Sequence, residues 1–316
     1  MKRTISPIVE VAPPDSARVA EWVHALALRY GGLMEVSVIG NSLLGRKIHS
    51  FHIGSRRRHV LYCGGVHGRE WITTLLLLHF AEELLAACAD GTALCEMDVR
   101  RLLETGGLTV IPVLNPDGAE ISLHAGKGGV PEDYLVPALA SSPLGEKLRN
   151  DREFCRRWKA NARGVDINRN FDAGWDDMRL ISLENGIRGP ASEGWTGECP
   201  VSEPETRAVV SLCEKERFRH LIAFHSQGEV IYWNYRQCTP PKTHIMARIL
   251  SMSSGYALGE PALSACAAGL KDWFMEHYRA PAFTVEVGSG RCPLPLSSFR
   301  FLYNRLREML VLGIAM

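Results

Sequence analysis

The chain has 316 residues, 46% of them apolar, and a formal net charge of +1. That supplies a core for one large α/β domain or two smaller ones, and it gives no electrostatic case for a nucleic-acid partner or an anionic membrane. The nine cysteines are odd in number and show no C-x-x-C pair, so reduced, mostly buried thiols in a cytoplasmic protein are expected rather than a disulfide framework.

The N-terminus carries Lys2 and Arg3, but Pro7, Glu10, Pro13 and Pro14 interrupt any apolar run, so no secretory leader is expected. No stretch approaches about 18 uninterrupted apolar residues, so no membrane span is expected either. Residues 15–30 place Val19, Trp22, Val23, Leu26 and Tyr30 at helical spacing behind a cap at Asp15 or Ser16. Residues 34–39 and 47–53 alternate as paired strands around a turn at 41–45, and Arg56, Arg57 and Arg58 fall in a solvated turn. Strands are expected at 60–63 and 108–114, with a long helix at 73–87 between them. Residues 119–165 read as irregular apart from a charged helical patch near 144–159, and Asn115-Pro116-Asp117-Gly118 reads as a loop. Farther on, helices are expected at 203–216, 243–253, 268–277 and 299–314, and strands at 218–224, 229–235 and 282–287. Strands interleaved with helices predict one α/β domain with a mixed central sheet flanked by helices.

The chemistry gathers at strand ends. Gly64-Gly65-Val66-His67-Gly68-Arg69-Glu70-Trp71 follows a buried strand and opens a helix. His67 and Glu70, three residues apart at that turn, can face one ion, and a third nitrogen ligand would complete a His2Glu site with one open position. Two imidazoles and one carboxylate favour zinc. Downstream lie Asn115-Pro116-Asp117-Gly118, then Gly164-Val165-Asp166-Ile167-Asn168-Arg169-Asn170-Phe171. Phe224-His225-Ser226-Gln227-Gly228-Glu229 and Phe283-Thr284-Val285-Glu286-Val287-Gly288 follow. His225 closes its own strand and is the natural third ligand. Glu286 is the only charge in an apolar strand, a costly placement unless it is paired or used.

This ordered set resembles the zinc metallocarboxypeptidases, the family of carboxypeptidases A and B, from about residue 30 to the C-terminus. The resemblance implies a lead-in at 1–30, a catalytic domain at 31–316 and one zinc ion per chain on His67, Glu70 and His225. It implies Glu286 as general base. It also implies that Asn168 and Arg169 grip the substrate's terminal carboxylate, and that Arg69 binds substrate. The family's oxyanion arginine falls in Trp158-Lys159-Ala160-Asn161, where this chain has Lys159, a point charge instead of a fork, with Arg157 and Arg163 nearby. The family's substrate-covering tyrosine would stand nine residues before Trp273, where this chain has Ser264; Tyr256 is a phenol close by in sequence.

Lys271, two residues before Trp273, takes the position that reads the released side chain in digestive relatives, so an anionic leaving residue is expected. Phe224-His225-Ser226-Gln227-Gly228-Glu229-Val230-Ile231-Tyr232-Trp233 and Gly269-Leu270-Lys271-Asp272-Trp273-Phe274 resemble the bacterial γ-D-glutamyl-meso-diaminopimelate peptidases. That branch implies a muropeptide substrate, with Lys271 receiving the distal carboxylate of diaminopimelate and Asp272 or Glu229 its amine. The alternatives are a carboxypeptidase that removes C-terminal acidic residues, including deglutamylation, and a non-catalytic relative that binds wall peptides.

Overall fold

The computed structural model describes residues 6–125, 128–260 and 267–316. Helix α1 (Ser16–Arg29) is capped by Asp15, whose side chain accepts from Arg18 N. Strands β1 (Met34–Asn41) and β2 (Lys47–Gly54) form an antiparallel pair, and β3 (His59–Cys63) leads through a short 3-10 turn (Gly68–Glu70) into α2 (Ile72–Asp90). A small hairpin of β4 (Ala93–Leu94) and β5 (Met97–Asp98) precedes α3 (Val99–Thr105) and β6 (Gly107–Ile111). Then come α4 (Pro116–Leu123), α5 (Pro137–Ala140), α6 (Pro143–Asn150), α7 (Arg152–Arg156), α8 (Trp175–Glu184) and α9 (Pro204–Lys215). The C-terminal part holds β7 (Leu221–His225), β8 (Val230–Tyr232), α10 (Thr243–Ser254), β9 (Ala257–Gly259), α11 (Leu270–Tyr278), β10 (Ala282–Glu286) and α12 (Phe299–Ala315).

Eight strands form one mixed sheet in the order β1-β2-β6-β3-β7-β10-β8-β9. The centre, β6-β3-β7-β10, is parallel, and antiparallel pairs flank it. Central strands of this kind are covered on both faces, which explains their unbroken apolar runs. In β3, Val60 and Tyr62 enter one core cluster with α2 and α12, while Leu61 and Cys63 enter a second with α9 and α11. Helix α1 belongs to the first of these through Val19, Trp22, Val23 and Leu26. The stretch from the 3-10 turn through α2, Gly68–Asp90, is long and apolar enough to cross a membrane, but 78% of its 18-residue apolar window is buried inside the domain, so α2 is a core helix. Every described cysteine is free.

Several expectations need correction. Asn115-Pro116-Asp117-Gly118 is no loop: Asn115 caps α4 through Gly118 N at 2.9 Å, and Pro116 opens its first turn. In the stretch 119–165, α6 and α7 fall within the charged helical patch expected near 144–159, whereas α5 lies in the part read as irregular, and α8 was not foreseen because its apolar positions are few. The strand expected to reach residue 114 ends at Ile111, where Pro112 removes a ladder donor.

Candidate metal and catalytic site

Three strand ends build the site. His67 stands just past β3, His225 ends β7, and Glu286 ends β10 beside it in the parallel register Glu286↔His225. Two glycines let three backbones converge behind His67 and Glu70. A Cβ on Gly68 would stand 2.2 Å from the Gly118 carbonyl oxygen, and one on Gly118 would stand 2.4 Å from that of Ala160. Gly68 N donates to Lys159 O at 3.0 Å, and Asn115 Nδ2 donates to Ala160 O at 3.1 Å. Asp117 accepts from Ser42 Oγ at 2.8 Å and pairs with Arg46 at 2.7 Å. The Asn-Pro-Asp-Gly motif therefore buttresses the metal turn and contributes no group to the chemistry.

His67, Glu70 and His225 are all buried, and each offers a ligand atom within 4.8 Å of the others. The two Nδ1 atoms face each other at 3.1 Å, and the Glu70 oxygens stand 2.9 Å from His67 Nδ1 and 3.0 Å from His225 Nδ1. For metal bonds of about 2.0–2.1 Å, tetrahedral ligand atoms stand about 3.3 Å apart, so this cluster has the size and donor set of a zinc site. His225 Nε2 is buried without a hydrogen-bond partner among the described residues, and Nδ1 is the atom turned to the cluster. Burial favours the neutral form of His225, lowering its pKa. Burial alone would raise Glu70, but His67 and His225 hold it well below the usual carboxylate range.

Asp166 completes the arrangement, and sequence reasoning gave it no role. Its Oδ1 lies 3.1 Å from His67 Nε2 and accepts from Asn168 N at 3.1 Å, and its Oδ2 accepts from Gly194 N at 3.0 Å. A carboxylate on Nε2 fixes the tautomer that leaves the Nδ1 lone pair for an ion. Burial opposes ionisation of Asp166, yet His67, Arg169 and Lys159 hold its pKa far below the ordinary value. Between Glu70 and Asp166, and against its own desolvation, metal-free His67 is pushed up to about 9.

Glu286 is pushed up to about 8, first by burial and then by the Glu70 charge, against the pull of His67, Lys159 and Arg169. Lys159 Nζ stands 3.7 Å from Glu193 Oε2, and Arg69 stands 3.5 Å from the same oxygen. Arg163 is engaged by Glu203 at 3.4 Å. Asn168 Oδ1 accepts from Leu270 N at 3.0 Å and so clamps the start of α11, while Arg169 reaches the carbonyls of Asn168 and Ala267 at 3.4 Å. Lys271 is buried, donates to Asn234 O at 2.7 Å and pairs with its neighbour Asp272. Glu229 is paired with Arg305 at 2.7 Å, which leaves Asp272 as the carboxylate beside Lys271. Tyr256 is buried with its hydroxyl accepting from Gly288 N at 2.9 Å, so it is held in the core. Ser264 lies outside the described residues.

Residues 19–300 match the zinc carboxypeptidase family. Gamma-D-glutamyl-L-diamino acid endopeptidase 1 of Lysinibacillus sphaericus is 36% identical over 284 residues, covering 87% of this chain and 66% of that protein. The uncharacterized protein YqgT of Bacillus subtilis is 30% identical over 269 residues, covering 84% of this chain and 68% of that one. The chain thus spans about two thirds of the length of these two relatives. In fold it is similar to bovine thrombin-activatable fibrinolysis inhibitor, with a TM-score of 0.72 at 20% identity over 96% of this chain and 97% of the other.

Proposed function

Because the chain belongs to the zinc carboxypeptidase family, we propose that its strand-end triad serves a peptidase that hydrolyses the γ-D-glutamyl to meso-diaminopimelate bond of peptidoglycan-derived peptides. The observation that carries this reading is the buried Lys271–Asp272 pair at the start of α11, in a chain 36% identical to a γ-D-glutamyl-L-diamino acid endopeptidase. The distal end of meso-diaminopimelate carries a carboxylate and an amine. A buried cation and a buried carboxylate side by side match both charges, and a pocket for an apolar side chain would carry neither.

Zinc on His67, Glu70 and His225 would polarise the scissile carbonyl and bring the pKa of a water toward 7. The chain's own residues do the rest. Glu286, raised by burial toward neutrality, accepts a proton from the attacking water at its carboxylate and delivers it to the departing nitrogen. Lys159 meets negative charge developing on the carbonyl oxygen. Asn168 and Arg169 hold the leaving residue's α-carboxylate, and through Leu270 N the same Asn168 fixes the helix end that carries Lys271.

The test is product analysis by mass spectrometry. L-Ala-γ-D-Glu-meso-diaminopimelate and a peptide ending in α-linked Glu are incubated with zinc-loaded protein, with and without chelator. Release of diaminopimelate, abolished by chelator, is the expected result. Release of Glu alone would favour a carboxypeptidase for acidic C-termini, and binding without turnover a wall-peptide binder.

A further inference from the structure

A second set of charges gathers around Arg69, which the chain places between the ligands His67 and Glu70. A cavity of about 300 Å³ is lined by Arg69, Lys147, Arg157 and Glu193, together with Asp151 and Glu153. Two of its carboxylates are committed elsewhere: Asp151 caps α7 through Phe154 N, and Glu153 pairs with Arg291 at 3.0 Å. Glu193 is different. Its Oε2 stands between Arg69 at 3.5 Å and Lys159 at 3.7 Å, both well beyond the roughly 2.7–2.9 Å of a tight charge-assisted hydrogen bond, and its side chain is 53% exposed. Arg69 Nε is buried without an acceptor among the described residues. The backbone on either side of Glu193 is firmly held. Ser192 O accepts from Lys159 N and Ala160 N at 3.0 Å, and Gly194 N donates to Asp166 Oδ2 at 3.0 Å. A fixed gap between two cations is therefore filled by a loosely held carboxylate.

We propose that this gap is the seat for a carboxylate on the acyl side of the scissile bond, kept occupied in the free protein by Glu193, which substrate displaces. The inference rests on the γ-D-glutamyl reading. In that reading the leaving residue lies against Asn168, Arg169 and Lys271, so the acyl residue lies on the flank of Arg69 and Lys159. A γ-linked glutamyl residue keeps its α-carboxylate free, a short carbon chain away from the carbonyl that is attacked. A neutral acyl residue in α-linkage brings no such charge. Arg69 can take the incoming carboxylate through Nη2, the nitrogen that faces Glu193 in the free protein, and the ammonium of Lys159, with three donors, can meet both that carboxylate and the charge developing on the carbonyl oxygen. Glu193 makes the seat selective: a neutral acyl group gains nothing by entering, while an anion replaces one carboxylate with another better placed.

The experiment compares matched tripeptides whose D-Glu carries either the free α-carboxylate or the α-carboxamide. Wild type, Glu193→Gln and Arg69→Met are used in their zinc-loaded forms, with zinc content and circular dichroism as folding controls. On wild type the acid should be cleaved with kcat/KM about tenfold or more above the amide, as expected for a hydrogen bond to a charged group. Glu193→Gln should raise kcat/KM for the acid about two- to fivefold, the scale of a released surface ion pair, and change the amide less. Arg69→Met should bring acid and amide together. Equal cleavage of the two by wild type, or an equal gain for both in Glu193→Gln, would overturn the seat. Should neither γ-linked peptide be cleaved, the substrate reading fails and the seat is tested separately. Peptides with α-linked Glu or Gln before an acidic C-terminus place a carboxylate or an amide the same number of carbons from the carbonyl. A preference for Glu there upholds the seat, and indifference overturns it.

Discussion

The two halves of the site are held by different means. His225 and Glu286 are register partners on β7 and β10, central strands of a sheet buried on both faces. Sliding either strand by one residue would exchange the side chains packed in the two core clusters and mismatch their sizes, so these two positions are fixed by the core itself. Lys159, Asp166, Asn168, Arg169 and Glu193 ride instead on segments outside the sheet, held by hydrogen bonds such as Gly68 N to Lys159 O and Gly194 N to Asp166 Oδ2. In the proposed reaction the general base and one metal ligand are thus set by the rigid half, where placement tolerates little error. The selectivity proposed above would sit on the half that sequence change can remodel without unfolding the sheet.

The sharpest way to break this contrast is to remove a ligand. His67→Ala and His225→Ala should each lose most bound zinc and with it turnover, because a three-ligand site depends on every member. Full zinc per chain in both variants, read by elemental analysis, would remove the triad from the account. Glu286→Gln should keep zinc and fold but lose about a hundred- to ten-thousand-fold in kcat, since the amide fills the same space and accepts no proton. A loss of only a few-fold would assign the base elsewhere.

The residues outside the sheet should respond more mildly and more selectively. Lys271→Ala should cost about 1.5–3 kcal/mol in kcat/KM on meso-diaminopimelate substrates and much less on Lys analogues, which lack the distal carboxylate. Equal losses on both would make Lys271 a structural partner of Asp272. Asp166→Asn should weaken zinc binding about ten- to a hundredfold while leaving the fold in place, the usual consequence of altering a carboxylate that orients a histidine ligand. Unchanged affinity would mean that the strand ends alone orient His67. The pH dependence of zinc binding follows from the same contacts. With His67 raised to about 9 in the metal-free protein, a proton must leave when zinc binds at lower pH. Affinity should therefore fall at least about tenfold per unit as pH drops from about 8 to 6. A flat profile in a competition assay would contradict the raised His67.

The same contrast explains what the sequence disclosed. His67, Glu70, His225 and Glu286 follow or close apolar strands, so local pattern and spacing bring them to one edge of the sheet, and the structure does bring them together. The helix after Asn115 was legible in principle from an N-cap followed by Pro and Asp, but Asn-Pro-Asp-Gly also spells a turn, and only the packing against Gly68 and Ala160 decides between them. Asp166 is one acidic residue among the 35 of the chain until a backbone almost a hundred positions away delivers His67 to it. Lys271 was expected to be a cation that reads an anionic group, but its partnership with Asp272 and its burial depend on α11 docking against Asn234. Glu193 lies in a loop with no periodicity, and its position between Arg69 and Lys159 is set by hydrogen bonds made through its neighbours.

The most direct test of the central claim is metal-dependent release of diaminopimelate. The protein is stripped with chelator, titrated with zinc, and assayed on L-Ala-γ-D-Glu-meso-diaminopimelate alongside Glu286→Gln. Turnover that rises with zinc and saturates at one equivalent per chain, and that is absent from the fully loaded Glu286→Gln protein, is the predicted result. Cleavage that persists without metal, or that survives in Glu286→Gln at the wild-type rate, would contradict the account.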